Sequence, residues 1–250
     1  MNPMQLLLPE WPAPPNVGAC VTLRAGGSSP APYDDGAGGP GLNLGDHVGD
    51  DPALVAGNRA RLARLLPQEP AWLTQVHGTT VCDAFSVAAG AQGDGCISDR
   101  PGPVCVMMTA DCLPVLLCDE AGSVVGAAHA GWRGLAAGVL EQTVAAMRAR
   151  GAGRIMAWLG PAIGPQRFEV GPEVRDTFAA HDPAALQAFT ASPQAGKFLA
   201  DIYQLGRLRL RSAGVDDISG GGLCTVSDTR FYSYRRDRTT GRMASLVWLK

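Results

Sequence analysis

The segment VCVMMTADCLPVLLCDEAGSVVGAAH, residues 104–129, holds the reading on which the fold turns. It contains three short apolar runs, 104–109 (VCVMMT), 113–118 (LPVLLC) and 123–129 (SVVGAAH), each bounded by turn residues or a change of pattern. Runs of this length and composition are expected to be buried strands. Downstream, Gly134 to Arg150 repeats apolar residues at helical period, carries basic residues in its last turn and meets Gly151, so one continuous helix is expected there. Upstream, Asp51 followed by Pro52 gives an N-cap with proline at the first helical position, and a helix is expected from about Pro52 to Leu66, stopped by Pro67. Residues 71–76 and 79–85 read as a hairpin with His77 at its turn. A strand at 154–159, a Pro/Gly loop at 160–167, short helices within 172–190, a helix from about Asp201 to Ala213, and strands near 217–224 and 243–249 complete the pattern. Strands and helices interleave without a regular βαβ rhythm, which favours an α+β or mixed-sheet architecture over a doubly wound one.

Of the 250 residues 46% are hydrophobic and 18% charged, enough apolar content to bury a core and to exclude disorder as the main state. Gly (32) and Pro (19) together make about a fifth of the chain, and much of this lies in residues 25–51, AGGSSPAPYDDGAGGPGLNLGDHVGDD. No apolar period can be read there, so a long loop is expected. No repeat or linker divides the chain, and residues 1–250 are expected to form one domain containing that loop. A formal net charge of −2 offers no footprint for a polyanion, which argues against nucleic acid as the primary partner. The seven cysteines include no CxxC pair and are odd in number, a pattern of free thiols in a reducing compartment. The N-terminal residues have no basic region and their apolar run stops at Pro9, unlike a signal peptide. The most apolar stretch, 103–118, is interrupted by Asp111 and Pro114 and is too short to span a bilayer. A cytoplasmic protein with no membrane partner is expected.

Four histidines are present, at positions 47, 77, 129 and 181. His77 falls at a turn, His129 at the end of a buried strand before a Gly-rich turn, and Cys112 in the tight connection between two strands, next to Asp111. The separations, 35 and 17 residues, form no local ligand motif. Chemical type is more informative: one thiolate and two imidazoles make a three-ligand zinc site with its fourth position open to water or substrate, as catalytic zinc requires. Two other readings stand beside this one. Cys112 can be a small buried hydrophobe with the histidines in ordinary hydrogen bonds. Alternatively, Cys112 and His129 can form a nucleophile–base pair, the imidazole depressing the thiol pKa, which leaves His77 without a use.

TQVHGTTV (74–81), VMMTADCLPVLLCD (106–119), AAHAGWRGLAAGVLE (127–141), AWLGPAIGP (157–165), FEVGPEV (168–174) and FYSYRRDRTTGRMASLVWL (231–249) closely resemble the YfiH family. LNLGDHVGDDP (42–52) and NRARL (58–62) match as well, so the resemblance covers about residues 20–249 in collinear order. Members of that family are variously labelled laccase-domain proteins, polyphenol oxidases, peptidoglycan-editing factors and purine nucleoside phosphorylases. The resemblance implies a single compact α+β domain with mixed β-sheet layers flanked by helices. It also implies that the His of QVHG, the Cys of TADC and the His of HAGWRG, here His77, Cys112 and His129, hold zinc.

The activity implied is a zinc-dependent purine nucleoside phosphorylase acting on adenosine, inosine, guanosine and 5′-methylthioadenosine, with adenosine deamination at the same site. Its partners are then small molecules, a purine nucleoside and phosphate, and no obligate protein partner is evident. Arg133, just before a helix start, is the first candidate for binding phosphate, followed by Arg59 and Arg24; each is equally readable as a surface ion pair. Asp111 is a candidate for orienting a ligand or acting as general base, against a turn-capping role. The competing reaction is zinc-assisted removal of L-Ser from a UDP-muramoyl peptidoglycan precursor, which would use the same ligands. A polyphenol oxidase of the multicopper kind needs more histidines than four, so Cu²⁺ would enter a His₂Cys site only adventitiously. The segment DDGAGGPG (34–41) is an insertion relative to the family pattern, at the rim of the expected site. Tyr232, Tyr234, Arg235 and Arg236 read equally as pocket lining or as a charged turn, and His47 is not assigned to the metal.

Overall fold

A strand with apolar side chains on both faces needs cover on both sides, and this demand sets the layers. The computed structural model describes residues 4–88 and 90–250. Its strands are β1 (Leu6–Leu7), β2 (Val17–Thr22), β3 (Ala25–Ser29), β4 (Val81–Asp83), β5 (Gly95–Ser98), β6 (Val104–Thr109), β7 (Leu113–Asp119), β8 (Val125–Ala130), β9 (Ile155–Leu159), β10 (Glu169–Val170), β11 (Phe189–Ala191), β12 (Phe198–Ala200), β13 (Asp217–Gly220) and β14 (Met243–Leu249). The α-helices are α1 (Pro52–Ala63), α2 (Trp132–Ala137), α3 (Val139–Ala149), α4 (Pro172–His181), α5 (Ile202–Ser212) and α6 (Tyr234–Asp237), and a 3₁₀ helix spans Pro183–Ala188. Six strands form a mixed sheet in the order β13-β9-β7-β8-β5-β4, parallel at its two edge pairs and antiparallel between. A second, antiparallel sheet runs β1-β2-β14-β6, and a small one β10-β12-β11. The fold is the expected α+β arrangement of mixed sheets flanked by helices.

Alternation along each strand shows how the layers meet. Leu113, Val115 and Leu117 of β7 pack with Leu135, Leu140, Val144 and Leu210 on the helical side. Leu116 and Cys118 point the other way, into a core shared with Cys105 and Met107 of β6 and Val247 of β14. The opposite face of that second sheet, Val104, Val106 and Leu246, is covered by Leu62 of α1 and by Leu42 and Leu44. The unbroken apolar runs of the sequence therefore belong to strands enclosed between layers. The runs at 104–109 and 113–118 belong to different sheets.

Three expectations are corrected. The helix expected from Gly134 to Arg150 is two helices, because Gly138 takes φ 101° and caps α2 through its N–H to Gly134 O and Leu135 O. The hairpin around His77 does not form: Thr74 bridges Gln92 and Val81–Asp83 pairs with β5, both parallel. The 25–51 loop is not wholly irregular, since it begins with β3, whose ends bridge Gly41. Helix α1 starts at the Asp51 cap as expected, its side chain accepting from Ala53 N, and its end tightens into i→i+3 bonds at Leu65 and Leu66 before Pro67. Among the described residues no helix is long and apolar enough to cross a membrane.

Asn58, fully buried on α1, ties the Gly-rich segment down. Its Oδ1 accepts from Ser28 N (2.9 Å) and its Nδ2 donates to Ser29 Oγ (3.0 Å) and Asn43 O (2.9 Å). Asn58→Ala strands these groups without water, and urea unfolding is expected to show a loss of about 2–4 kcal/mol.

Candidate metal centre

Two turns and the end of one strand converge on one point. His77 lies in the loop after Thr74, and the Gln75 side chain moors that loop to β6, donating to Met108 O (2.8 Å) and accepting from Met108 N (2.7 Å). Cys112 lies between β6 and β7, after Asp111, whose φ of 93° would cost a non-glycine residue about 1–3 kcal/mol without support. That support comes from Thr225 Oγ1 and Arg235 N, each donating to one Asp111 carboxylate oxygen at 2.6 Å. Ile163 N adds a bond to Asp111 O. His129 is near the end of β8, paired in register with Pro114. His77 also takes a positive φ, 60°.

The ligand atoms of His77, Cys112 and His129 all lie within 4.8 Å of one another, and Cys112 Sγ is 3.7 Å from His77 Nε2. Tetrahedral zinc with ordinary Zn–S and Zn–N bonds would hold such a pair roughly 3.5 Å apart. His129 is 3% exposed, Cys112 half-buried and His77 exposed, so the group is closed behind and open in front. A Cβ built on Gly131 would stand 2.6 Å from His77 Cδ2 and 3.0 Å from Cys112 Sγ. Only glycine at 131 keeps the shared space clear. The donor set and this cleared space fit a metal ion, and among the described residues no other group of three or more His, Cys, Asp or Glu could hold one.

Behind the group stands Asp94, fully buried. Its Oδ1 accepts from His129 Nδ1 (2.8 Å) and His77 N (3.0 Å), its Oδ2 from Gly78 N (2.7 Å) and Val76 N (3.2 Å). His129 N donates in turn to Asp94 O (2.7 Å). With Nδ1–H given to a carboxylate, His129 keeps Nε2 as its ligand atom. Burial pushes the Asp94 carboxyl up, but the His129 hydrogen bond and charge and the Gly78 and Val76 N–H groups hold it below the usual range. Burial likewise raises the Cys112 thiol, and the neighbouring His129 and His77 outweigh it, drawing it down to about 6. His129 is lowered by burial but raised more by Cys112 and Asp94, to about 9.

The group opens into a cavity of about 470 Å³, walled by Met108, Ile163, Phe168, Trp132 and Ile202 and reached by Arg133, Arg235 and Arg242. Of the arginines singled out in the sequence, Arg133 lines this cavity, stacked on Trp132 with its guanidinium 4.6 Å from the ring centroid. Arg59 lies in the adjoining groove, over Trp72 and 3.3 Å from Asp46. Arg24 is not brought to the cavity: it is buried against Asp34 (2.8 Å) and Asp237 (3.4 Å). Asp111 and Tyr234 line the cavity, while Tyr232 is in the core with its hydroxyl on Tyr33 O. Arg236 bonds the carbonyls of Thr225 and Phe231. His47, exposed and 3.4 Å from Asp46, lines the cavity apart from the ligand group.

Residues 18–250 match the family described as multi-copper polyphenol oxidoreductase laccase. A Pseudomonas aeruginosa protein named purine nucleoside phosphorylase is 56% identical, covering 98% of both chains. Purine nucleoside phosphorylase YfiH of Escherichia coli is 53% identical over 98% of this chain and 99% of its own. The crystal structure of a Neisseria meningitidis protein superposes with a TM-score of 0.90 at 47% identity, over 98% of this chain and 99% of that one. YlmD of Geobacillus stearothermophilus does so with a TM-score of 0.84 at 31% identity, over 94% and 93%. The multi-copper description does not fit the donor set, since one three-residue group cannot supply a trinuclear copper cluster as well.

Two outcomes are expected. Asp94→Asn removes the charge that His129 Nδ1–H faces and puts an NH₂ donor where one acceptor oxygen stood, against backbone N–H groups, and should weaken metal binding about 10- to 100-fold in a competition titration against a chelator. In metal-free protein, the Cys112–His129 attraction is lost as pH falls through about 6, where the thiolate protonates, and as it rises through about 9, where the imidazolium deprotonates. The rate of Cys112 alkylation should therefore titrate with a midpoint near 6, well below that of an ordinary thiol.

Proposed function

The chain belongs to the multi-copper polyphenol oxidoreductase laccase family, in which the YfiH proteins fall, and from that premise we propose that it is a zinc-dependent purine nucleoside phosphorylase. The observation that carries this reading is the His77, Cys112 and His129 group opening on a cavity with both an apolar wall and arginines. Its relatives' names agree. Adenosine, inosine, guanosine and 5′-methylthioadenosine are the proposed nucleosides, with adenosine deamination as a second reaction of the same site.

In phosphorolysis an oxygen of phosphate forms a bond to C1′ of the ribose while the C1′–N9 bond breaks, its electron pair leaving with the purine, which takes up a proton. A cavity of about 470 Å³ is within the range that encloses a ligand of nucleoside size. Met108, Ile163 and Phe168 offer the purine an apolar surface that also excludes water. The cavity arginines supply the positive charge that draws in a phosphate dianion. Cys112, His77 and His129 would hold zinc, which would supply Lewis acidity when bound. Asp94 holds the His129 tautomer. Asp111, with one donor on each carboxylate oxygen, acts in this proposal as a positioning residue that fixes the Cys112 turn rather than as a base.

Zinc-loaded protein given inosine is expected to release hypoxanthine and ribose 1-phosphate only when phosphate is present, and Cys112→Ala should lower the rate at least about 100-fold. Base release indifferent to phosphate and to Cys112 would contradict the reading. Serine release from a muramoyl precursor in the same assay would replace it with the amidase reaction.

A further inference from the structure

Three guanidinium groups reach the cavity, and they differ in what they already hold. Arg133 is exposed and stacks on Trp132. Arg235 gives Nη1 to Arg167 O (3.1 Å) and Nη2 to Glu169 O (3.2 Å). Arg242 is half-buried and uses Nη1 alone, donating to Thr240 O (3.1 Å) and Gly241 O (3.0 Å). Its Nε and Nη2 have no partner among the described residues, and it makes no ion pair there. These two atoms form the side edge of the guanidinium fork, which matches two oxygens of a phosphate. Burial lowers the Arg242 pKa, and the ionisable groups facing it, Cys112, Asp111, Tyr234 and Tyr33, oppose that only through space.

The surroundings hold this arginine in place. Asn43 Oδ1 accepts from Arg242 N (2.9 Å) and from Gly45 N (2.9 Å), and Leu44 N donates to Arg242 O (3.2 Å). A Cβ on Gly45 would stand 2.8 Å from Arg242 Cγ, so a glycine there leaves the side chain its path to the cavity. We propose that Arg242 is the phosphate-binding residue of this cavity, gripping the attacking phosphate through Nε and Nη2, with Asn43 and Gly45 as its positioning residues. The proposal rests on the phosphorylase reading and identifies a residue that was not among the sequence candidates Arg133, Arg59 and Arg24.

The test uses the full-length, zinc-loaded protein with inorganic phosphate as probe. Phosphate binding is followed by calorimetry, and initial rates are measured against phosphate at saturating inosine. Arg242→Gln is expected to raise both the Kd and the KM for phosphate about 10- to 100-fold, with zinc content and the KM for inosine little changed. Arg242→Lys, which keeps the charge and loses the fork, should weaken phosphate several-fold. Gly45→Ala, which leaves every cavity side chain intact, should shift phosphate affinity in the same direction by a smaller factor. Unchanged phosphate affinity in Arg242→Gln overturns the assignment, as it does in Arg242→Lys should the Gln variant fail to fold. If wild-type protein cleaves inosine without using phosphate, the phosphorylase reading itself fails. If wild-type depends on phosphate and the Arg242 variants bind it normally, only the role of Arg242 falls.

Discussion

A carboxylate taken out of water must find donors or lose its charge, and Asp94 finds four. Three are consecutive backbone N–H groups, of Val76, His77 and Gly78, and the fourth is the Nδ1–H of His129. The loop that carries His77 has no ladder of its own, so this one carboxylate does for it what cross-strand bonds do elsewhere. It also ties the loop to β8 across the sheet and selects the His129 tautomer. Removing the charge would loosen a ligand, the loop bearing a second ligand, and the attraction that keeps Cys112 a thiolate.

The same economy governs the positions of Cys112 and His129. Cys112 follows a residue at positive φ that is pinned by Thr225 and by the start of α6, so the C-terminal segment helps to set the thiol. His129 sits on a central strand enclosed between layers. Gly131 then turns the chain away without intruding on the shared space. Rigid sheet on one side and short turns on the other give a centre held firmly from behind and open to the cavity in front. Metal-site geometry of this kind depends on such supporting bonds as much as on the ligands themselves.

What the sequence made legible follows from how local each signal was. The runs at 104–109 and 113–118 were readable as buried strands because burial on both faces leaves no polar alternation to confuse them. Their assignment to two different sheets was not readable, since it depends on β14 returning from the far end of the chain to pair with β6. Gly138 sits inside an apolar pattern of helical period, and only its left-handed conformation divides α2 from α3. Residues on either side of His77 alternate well enough to suggest a hairpin, yet their partners are Gln92 and β5. The three candidate metal donors stood out by chemical type and by the family words around them. Asp94, within Gly93-Asp94-Gly95, reads as an ordinary turn, because its partners lie 16 or more residues away and no spacing announces them. Arg24 and Arg59 could not be set aside in the sequence for the same reason: Asp34, Asp237 and Asp46, which occupy them, are brought there by the fold.

The central claim is that one thiolate and two imidazoles share a metal ion with a further position left for a light ligand. X-ray absorption at the zinc edge of the loaded, full-length protein tests it most directly. One sulfur and two imidazole nitrogens are expected in the first coordination sphere, completed by oxygen or nitrogen, with loss of the sulfur shell in Cys112→Ala. A sphere with no sulfur, with two or more sulfurs, or unchanged by removal of Cys112 would contradict it.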